Sequence, residues 1–190
     1  MGRAVETLPA GYQEYYSLDL QKDKKTALLV NVLALVIAVL LVVPMSFAVP
    51  LLSVFYADGG ALIRLVVLVL LIVVYMVLHE LVHGIAMKSC GTKKVKYGFT
   101  GLYAFAGSED YYDKKSYIYI ALAPIVLLGV LIAIINVLVP VEWFWVVYFV
   151  QVMNLSGAAG DLFVTVKFSR FPKDILVKDY GVGMTVFSKE

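Results

Sequence analysis

Charge is what this sequence has least of: 16% of its 190 residues are Asp, Glu, Lys or Arg, against 62% hydrophobic. An ordinary soluble domain is about 25% charged and about 45–50% apolar. A chain of this size has too much surface to hide such an excess in one water-soluble core. The deficit excludes disorder, a coiled coil and an ordinary cytosolic enzyme. Cysteine is nearly missing as well, and the single Cys90 cannot close an intrachain disulfide. A net charge of +2 leaves no basic footprint for nucleic acid. No internal repeat and no low-complexity tract is found. The first apolar run has no small-residue cleavage site after it, which argues against a cleaved signal peptide.

Long apolar runs fill the rest. Four are long enough to span a bilayer, which takes roughly 20 apolar residues. The expected architecture is a single all-α integral membrane domain over residues 1–190, with transmembrane helices at 26–49, 65–87, 116–139 and 143–166. Pro44 and Pro50 mark a kink and the outer end of the first helix, Pro124 lies near the start of the third, and Pro140 sits in the turn before the fourth. Residues 1–25 and 167–190 are polar flanks.

The basic residues set an orientation. Arg3, Lys22, Lys24 and Lys25 precede the first helix, Lys88, Lys93, Lys94, Lys96, Lys114 and Lys115 surround the middle loop, and Lys167, Arg170, Lys173, Lys178 and Lys189 follow the fourth. The other two loops offer Asp58 and Glu142, with Arg64 at a helix entrance. The positive-inside rule then predicts a multi-pass cell-membrane protein with both termini and the middle loop in the cytoplasm. That loop, from Val95 to Ala106, is aromatic and punctuated by glycine, and reads as a short β-like hairpin at the membrane surface.

Both histidines fall in one motif, His79-Glu80-Leu81-Val82-His83. At i, i+4 on a helix the two imidazoles share a face and can bind one metal, with Glu80 alongside as a base. In such sites zinc brings the pKa of its water to about 7. Apart from Arg64, the only charges inside the spans are Glu80 and Asp161. A carboxylate in mid-span costs about 2.5–3.5 kcal/mol on insertion scales and usually lines a functional site. Counting back from Lys88 and Lys167 at 1.5 Å per residue puts His79, His83 and Asp161 about 13, 8 and 9 Å below the inner boundary. Asp161 is therefore the expected third ligand of a two-His, one-carboxylate centre. The donor set suits zinc, and also iron or cobalt. Asn154, seven residues earlier, is a candidate for holding a substrate carbonyl or oxyanion, or for an interhelical hydrogen bond.

The motif from His79 to His83 inside a membrane helix, and Asn154 with Asp161 in a later one, resemble the site-2-protease clan of intramembrane zinc metalloproteases. Ala123-Pro124 is similar to that clan's small-residue-plus-proline element. Departures fall at Gly157, where proline is usual between the Asn and the Asp, and at Leu162, where glycine usually follows the Asp. More closely, the chain resembles an uncharacterised prokaryotic family described as membrane zincin peptidases: Leu8-Pro9-Ala10-Gly11-Tyr12, the run from Leu18 to Lys25, and Gly160-Asp161 match it. The resemblance implies zinc ligands His79, His83 and Asp161, with Glu80 as catalytic acid/base.

The expected function is hydrolysis of peptide bonds in a membrane protein or peptide substrate within the lipid bilayer, with selection made by the membrane core. Tyr97, Phe99, Tyr103 and Phe105 are candidate substrate-binding residues, because an exposed strand edge there could pair with an unwound substrate. Two alternatives use the same residues: a metal-binding or transport protein, and a catalytically silent scaffold.

Overall fold

A computed structural model describes residues 4–55, 60–101, 104–181 and 183–189. Arg3, Asp58 and Tyr103 lie outside the described residues.

The long apolar runs are helical, the first and third each tolerating one interior proline, Pro44 and Pro124. They form α1 (Lys24–Ala48), α2 (Ala61–Ser89), α3 (Lys114–Leu138), and a fourth span divided into α4 (Val141–Ser156) and α5 (Ala159–Ser169). These give four helical segments long and apolar enough to cross a membrane. Their starts are chemically marked. The Asp23 carboxylate accepts from Thr26 N at 3.1 Å to cap α1, and Asp113 accepts from Ser116 N at 2.9 Å to cap α3. Pro140 precedes α4 and lacks the N–H that a continuing helix would need.

Leu28, Leu35, Leu40, Val69, Val126 and Val137 are exposed on the outside of the bundle. That much outward apolar surface suits contact with lipid rather than water. α4 is the central element, packing against α1, α2 and α3. Trp145 and Tyr148 seat it against α1, and Val147 and Val150 seat it against Tyr75, Val82, Leu128 and Ile132. α1 contributes no buried residue and is peripheral.

The structure corrects the all-α expectation. The flanks expected to be polar tails are strands. β1 (Tyr12–Asp19), β4 (Tyr111–Asp113), β5 (Leu176–Asp179) and β6 (Gly183–Lys189) form an antiparallel sheet in the order β1-β6-β5-β4. β1 leads into α1, β4 runs directly into α3, and β5 follows α5. The sheet therefore gathers three separate flanking segments over one end of the bundle. Its inner face carries Leu18, Tyr112, Val177 and Val186, which bury against Met87, Tyr117, Ile120 and Phe168. Leaving those side chains in water would cost about 1.5–3 kcal/mol each for the larger ones.

The middle loop forms a second, two-stranded sheet from β2 (Lys96–Phe99) and β3 (Ala104–Gly107), in the register Tyr97↔Ala106 and Gly98↔Phe105. It is clipped to the larger sheet. Ser108 N donates to the Asp179 carbonyl at 2.8 Å, and the Phe105 ring lies against Gly181, whose φ of +87° only glycine adopts cheaply.

Candidate metal centre

His79, Glu80 and His83 are held by α2, and Asp161 by the first turn of α5. The sequence reading treats 143–166 as one helix, which would put Asn154 and Asp161 on a common face. The helix instead breaks at Gly157-Ala158. A Cβ at Gly157 would meet the Met153 carbonyl oxygen at 2.6 Å, so the break needs the missing side chain. Asp161 starts a new helix and turns to the histidines, independently of Asn154.

The three ligand atoms converge. His79 Nε2 and His83 Nε2 are 3.1 Å apart, and Asp161 Oδ2 is 3.4 Å from the first and 3.7 Å from the second. A tetrahedral zinc site with bonds of about 2.0–2.2 Å has ligand–ligand edges of about 3.3–3.6 Å. The triangle's edges bracket that size. These residues could hold a metal ion, and they form such a group among the described residues.

The hydrogen bonds behind the imidazoles say which nitrogens are free. Asn154 Nδ2 donates to the Ile125 carbonyl at 3.0 Å, which turns Asn154 Oδ1 toward Tyr75. The Tyr75 hydroxyl donates to that oxygen at 3.3 Å, so its own oxygen accepts from His79 Nδ1–H at 2.9 Å. His83 Nδ1–H donates to the Ile120 carbonyl at 3.0 Å. Both neutral rings then carry their proton on Nδ1 and present a bare Nε2 to the same point. Three lone-pair atoms so close repel one another unless a cation lies among them. A proton bridges two such atoms; a metal ion accommodates three.

Pro124 explains why Ile120 is available. In a continuous helix the carbonyl at 120 would accept from the N–H at 124, and proline has none. The ring frees one acceptor, and His83 uses it. Gly129 plays the matching part for Asn154, since a Cβ there would lie 2.9 Å from Asn154 Nδ2.

The centre opens into a cleft of about 210 Å³. Glu80 lines it half-buried, together with Ala106 of β3. The sheet supplies the roof through Leu18, Asp179 and Met184. Of the aromatic candidates, Phe105 lines the cleft, Tyr97 packs on Gly84 of α2, and Phe99 is exposed away from it. Of the two roles expected for Asn154, the geometry matches the interhelical hydrogen bond: the side chain is fully buried and its amide is engaged at both ends.

The roof residues carry no local signal in the sequence beyond the turn-forming Asp179-Tyr180-Gly181. Asp179 Oδ1 accepts from Gly181 N at 2.7 Å, and Oδ2 accepts from the Tyr117 hydroxyl at 2.9 Å. Burial pushes its carboxyl up from the usual range, and the two donors only partly oppose that. On the outer surface, Glu109 bonds Lys96 of β2 at 2.7 Å and Lys178 of β5 at 2.9 Å, tying hairpin to sheet. The two ammonium groups hold its carboxyl down at about 2.

Fold and site together define a class: a protein of four membrane-length helices carrying a two-histidine, one-carboxylate group that could ligate a metal. The chain belongs to the family described as "Putative zincin peptidase", which matches residues 71–176 and so takes in the whole centre. It is also 31% identical over 122 residues to the "Uncharacterized 24.7 kDa protein in gap 5'region" of Pyrococcus woesei, covering 62% of this chain and 53% of that one. The chain thus spans about half the length of that relative. No solved structure matches.

Proposed function

We propose that the protein is an intramembrane zinc metallopeptidase that hydrolyses peptide bonds of membrane-associated protein or peptide substrates, with its cleft and both flanks on the cytoplasmic side. The observation that carries this reading is the convergence of two bare imidazole nitrogens and one carboxylate oxygen beside a second carboxylate, Glu80. The family supports the metal as zinc. The lysines around the flanks and middle loop support the orientation.

His79, His83 and Asp161 would hold the ion. Zinc supplies Lewis acidity there, acidifying water and polarising the scissile carbonyl. Glu80 takes the proton from the attacking water and returns it to the leaving amine. Tyr75 and Ile120 hold the two imidazoles in the ligating tautomer, and Asn154 acts one step further back by orienting Tyr75.

β3 supports a way to present the substrate. Among the described residues β3 has β2 on one edge and no strand on the other, and Ala104, Phe105 and Ala106 line the cleft. An unwound substrate segment can pair along that edge, with Phe105 beside it.

The test is Glu80→Gln. Purified variant should retain zinc at the wild-type stoichiometry and lose about 10²–10⁴-fold in hydrolysis, and membrane proteins that accumulate in cells carrying it would be the substrates. Unchanged turnover would sink the mechanism.

A further inference from the structure

The cleft contains a carboxylate that the proposed hydrolysis does not use. Asp179 sits in its roof with Tyr117 OH and Gly181 N–H as donors, and both are neutral. Among the described residues no lysine or arginine lines the cleft and no ion pair involves Asp179. Its bond to Gly181 N closes a turn, but asparagine makes the same turn with its carbonyl oxygen. The fold therefore needs an acceptor at this position and not a charge. Burying a carboxylate without a cation is costly, so the charge calls for another explanation.

Charge arithmetic supplies one. Within the cleft, a divalent ion on His79, His83 and Asp161 balances the charges of Asp161 and Glu80. Asp179 is the carboxylate left over. Its position is fixed from three sides: by Tyr117 of α3, by the β5–β6 turn, and by the Ser108 N–H that holds its carbonyl. A group so placed is pre-organised to take a ligand cation at no ordering cost.

We infer that Asp179 is a specificity subsite for a cationic nitrogen of the substrate, either a Lys or Arg side chain or a free α-amine next to the scissile bond. This rests on the peptidase reading of the same cleft. A bound ammonium would pair with the carboxylate and draw it into its ionised form, reversing the effect of burial.

Zinc-chelating hydroxamates test the subsite without requiring turnover. N-acetyl-lysine hydroxamate, N-acetyl-norleucine hydroxamate and free-amine norleucine hydroxamate are titrated into zinc-loaded Glu80→Gln protein, and into the same protein carrying Asp179→Asn. A side-chain subsite gives roughly tenfold tighter binding of the lysine compound than of its acetylated norleucine isostere. An α-amine subsite gives that margin to the free-amine compound. Either preference should vanish in Asp179→Asn, while binding of N-acetyl-norleucine hydroxamate stays unchanged. Equal binding of all three, binding of none, or a preference that survives Asp179→Asn overturns the proposal. A preference that vanishes in Asp179→Asn, in a protein showing no Glu80-dependent hydrolysis, would leave the subsite standing and sink the peptidase reading alone.

Discussion

Tyr75→Phe removes one oxygen atom from the chain of hydrogen bonds behind the centre. In the wild type that hydroxyl accepts from His79 Nδ1–H at 2.9 Å and donates to Asn154 Oδ1 at 3.3 Å. Tyr75 and Asn154 are both buried, so water cannot replace it. The variant leaves His79 Nδ1–H and Asn154 Oδ1 bare, and a bare buried polar group costs about 1–3 kcal/mol. His79 can escape by moving its proton to Nε2, but Nε2 is the ligating atom. Metal binding must then reverse the tautomer. Loss of an outer hydrogen bond of this kind typically weakens metal binding 10–100-fold, equivalent to about 1.4–2.7 kcal/mol. Zinc affinity measured by competition with a chromophoric chelator, on detergent-purified protein, reads this directly. Thermal unfolding of the zinc-free protein reads the stability cost separately. The pair Tyr75→Phe and Tyr75→Phe/Asn154→Leu should bind zinc equally, because Asn154 reaches the metal only through Tyr75. A zinc affinity within threefold of wild type in Tyr75→Phe would refute the relay. A lower melting temperature alone would make Tyr75 a packing residue.

Pro124→Ala restores an N–H that competes with His83 for the Ile120 carbonyl. Zinc affinity should fall by up to about tenfold while thermal stability holds or rises, because a helix gains an internal bond; both quantities moving together would contradict the account. The Glu109 bridge responds to acid and salt. Its carboxyl is held at about 2, below the usual value of about 4.3, so its contribution is complete above pH 4.5 and disappears as pH falls to 2. The bridge is exposed, so 1 M salt should weaken it too. Hydrogen-exchange protection at the β2–β3 amides, taken against the intrinsic rate at the same pH and salt, should fall under both conditions, and Glu109→Gln should show the lower protection at pH 7 with no further acid dependence.

What could be read from the chain was whatever lies close along it. His79, Glu80 and His83 sit within five residues, and helical periodicity alone puts the two rings together. Asp161 was reachable because depth in a membrane helix is counted from its charged end, and that count survives the break at Gly157. Rotation about the helix axis was not reachable. Asn154 could read either as facing a substrate or as making an interhelical hydrogen bond, and its amide bonds Ile125 and Tyr75. The sheet stayed hidden for a different reason. β1 and β6 lie on opposite sides of four membrane-length helices in the sequence, and neither has a long alternation of β-branched residues to announce itself. Small residues from Ser156 to Gly160 read as close helix packing, and the same residues also permit the break.

The pairing of Tyr12 with Lys189 has a consequence for when the cleft comes into being. Contacts between such distant residues form late, because the long loop between them must close first. The helices that carry His79, His83 and Asp161 lie inside that loop, so the centre can assemble before its roof does. Leu18, Asp179 and Met184 arrive with the sheet. A nascent chain would thus hold the candidate ligand group open to its surroundings, and the joining of β1 to β6 marks the point at which an open triad becomes a roofed cleft.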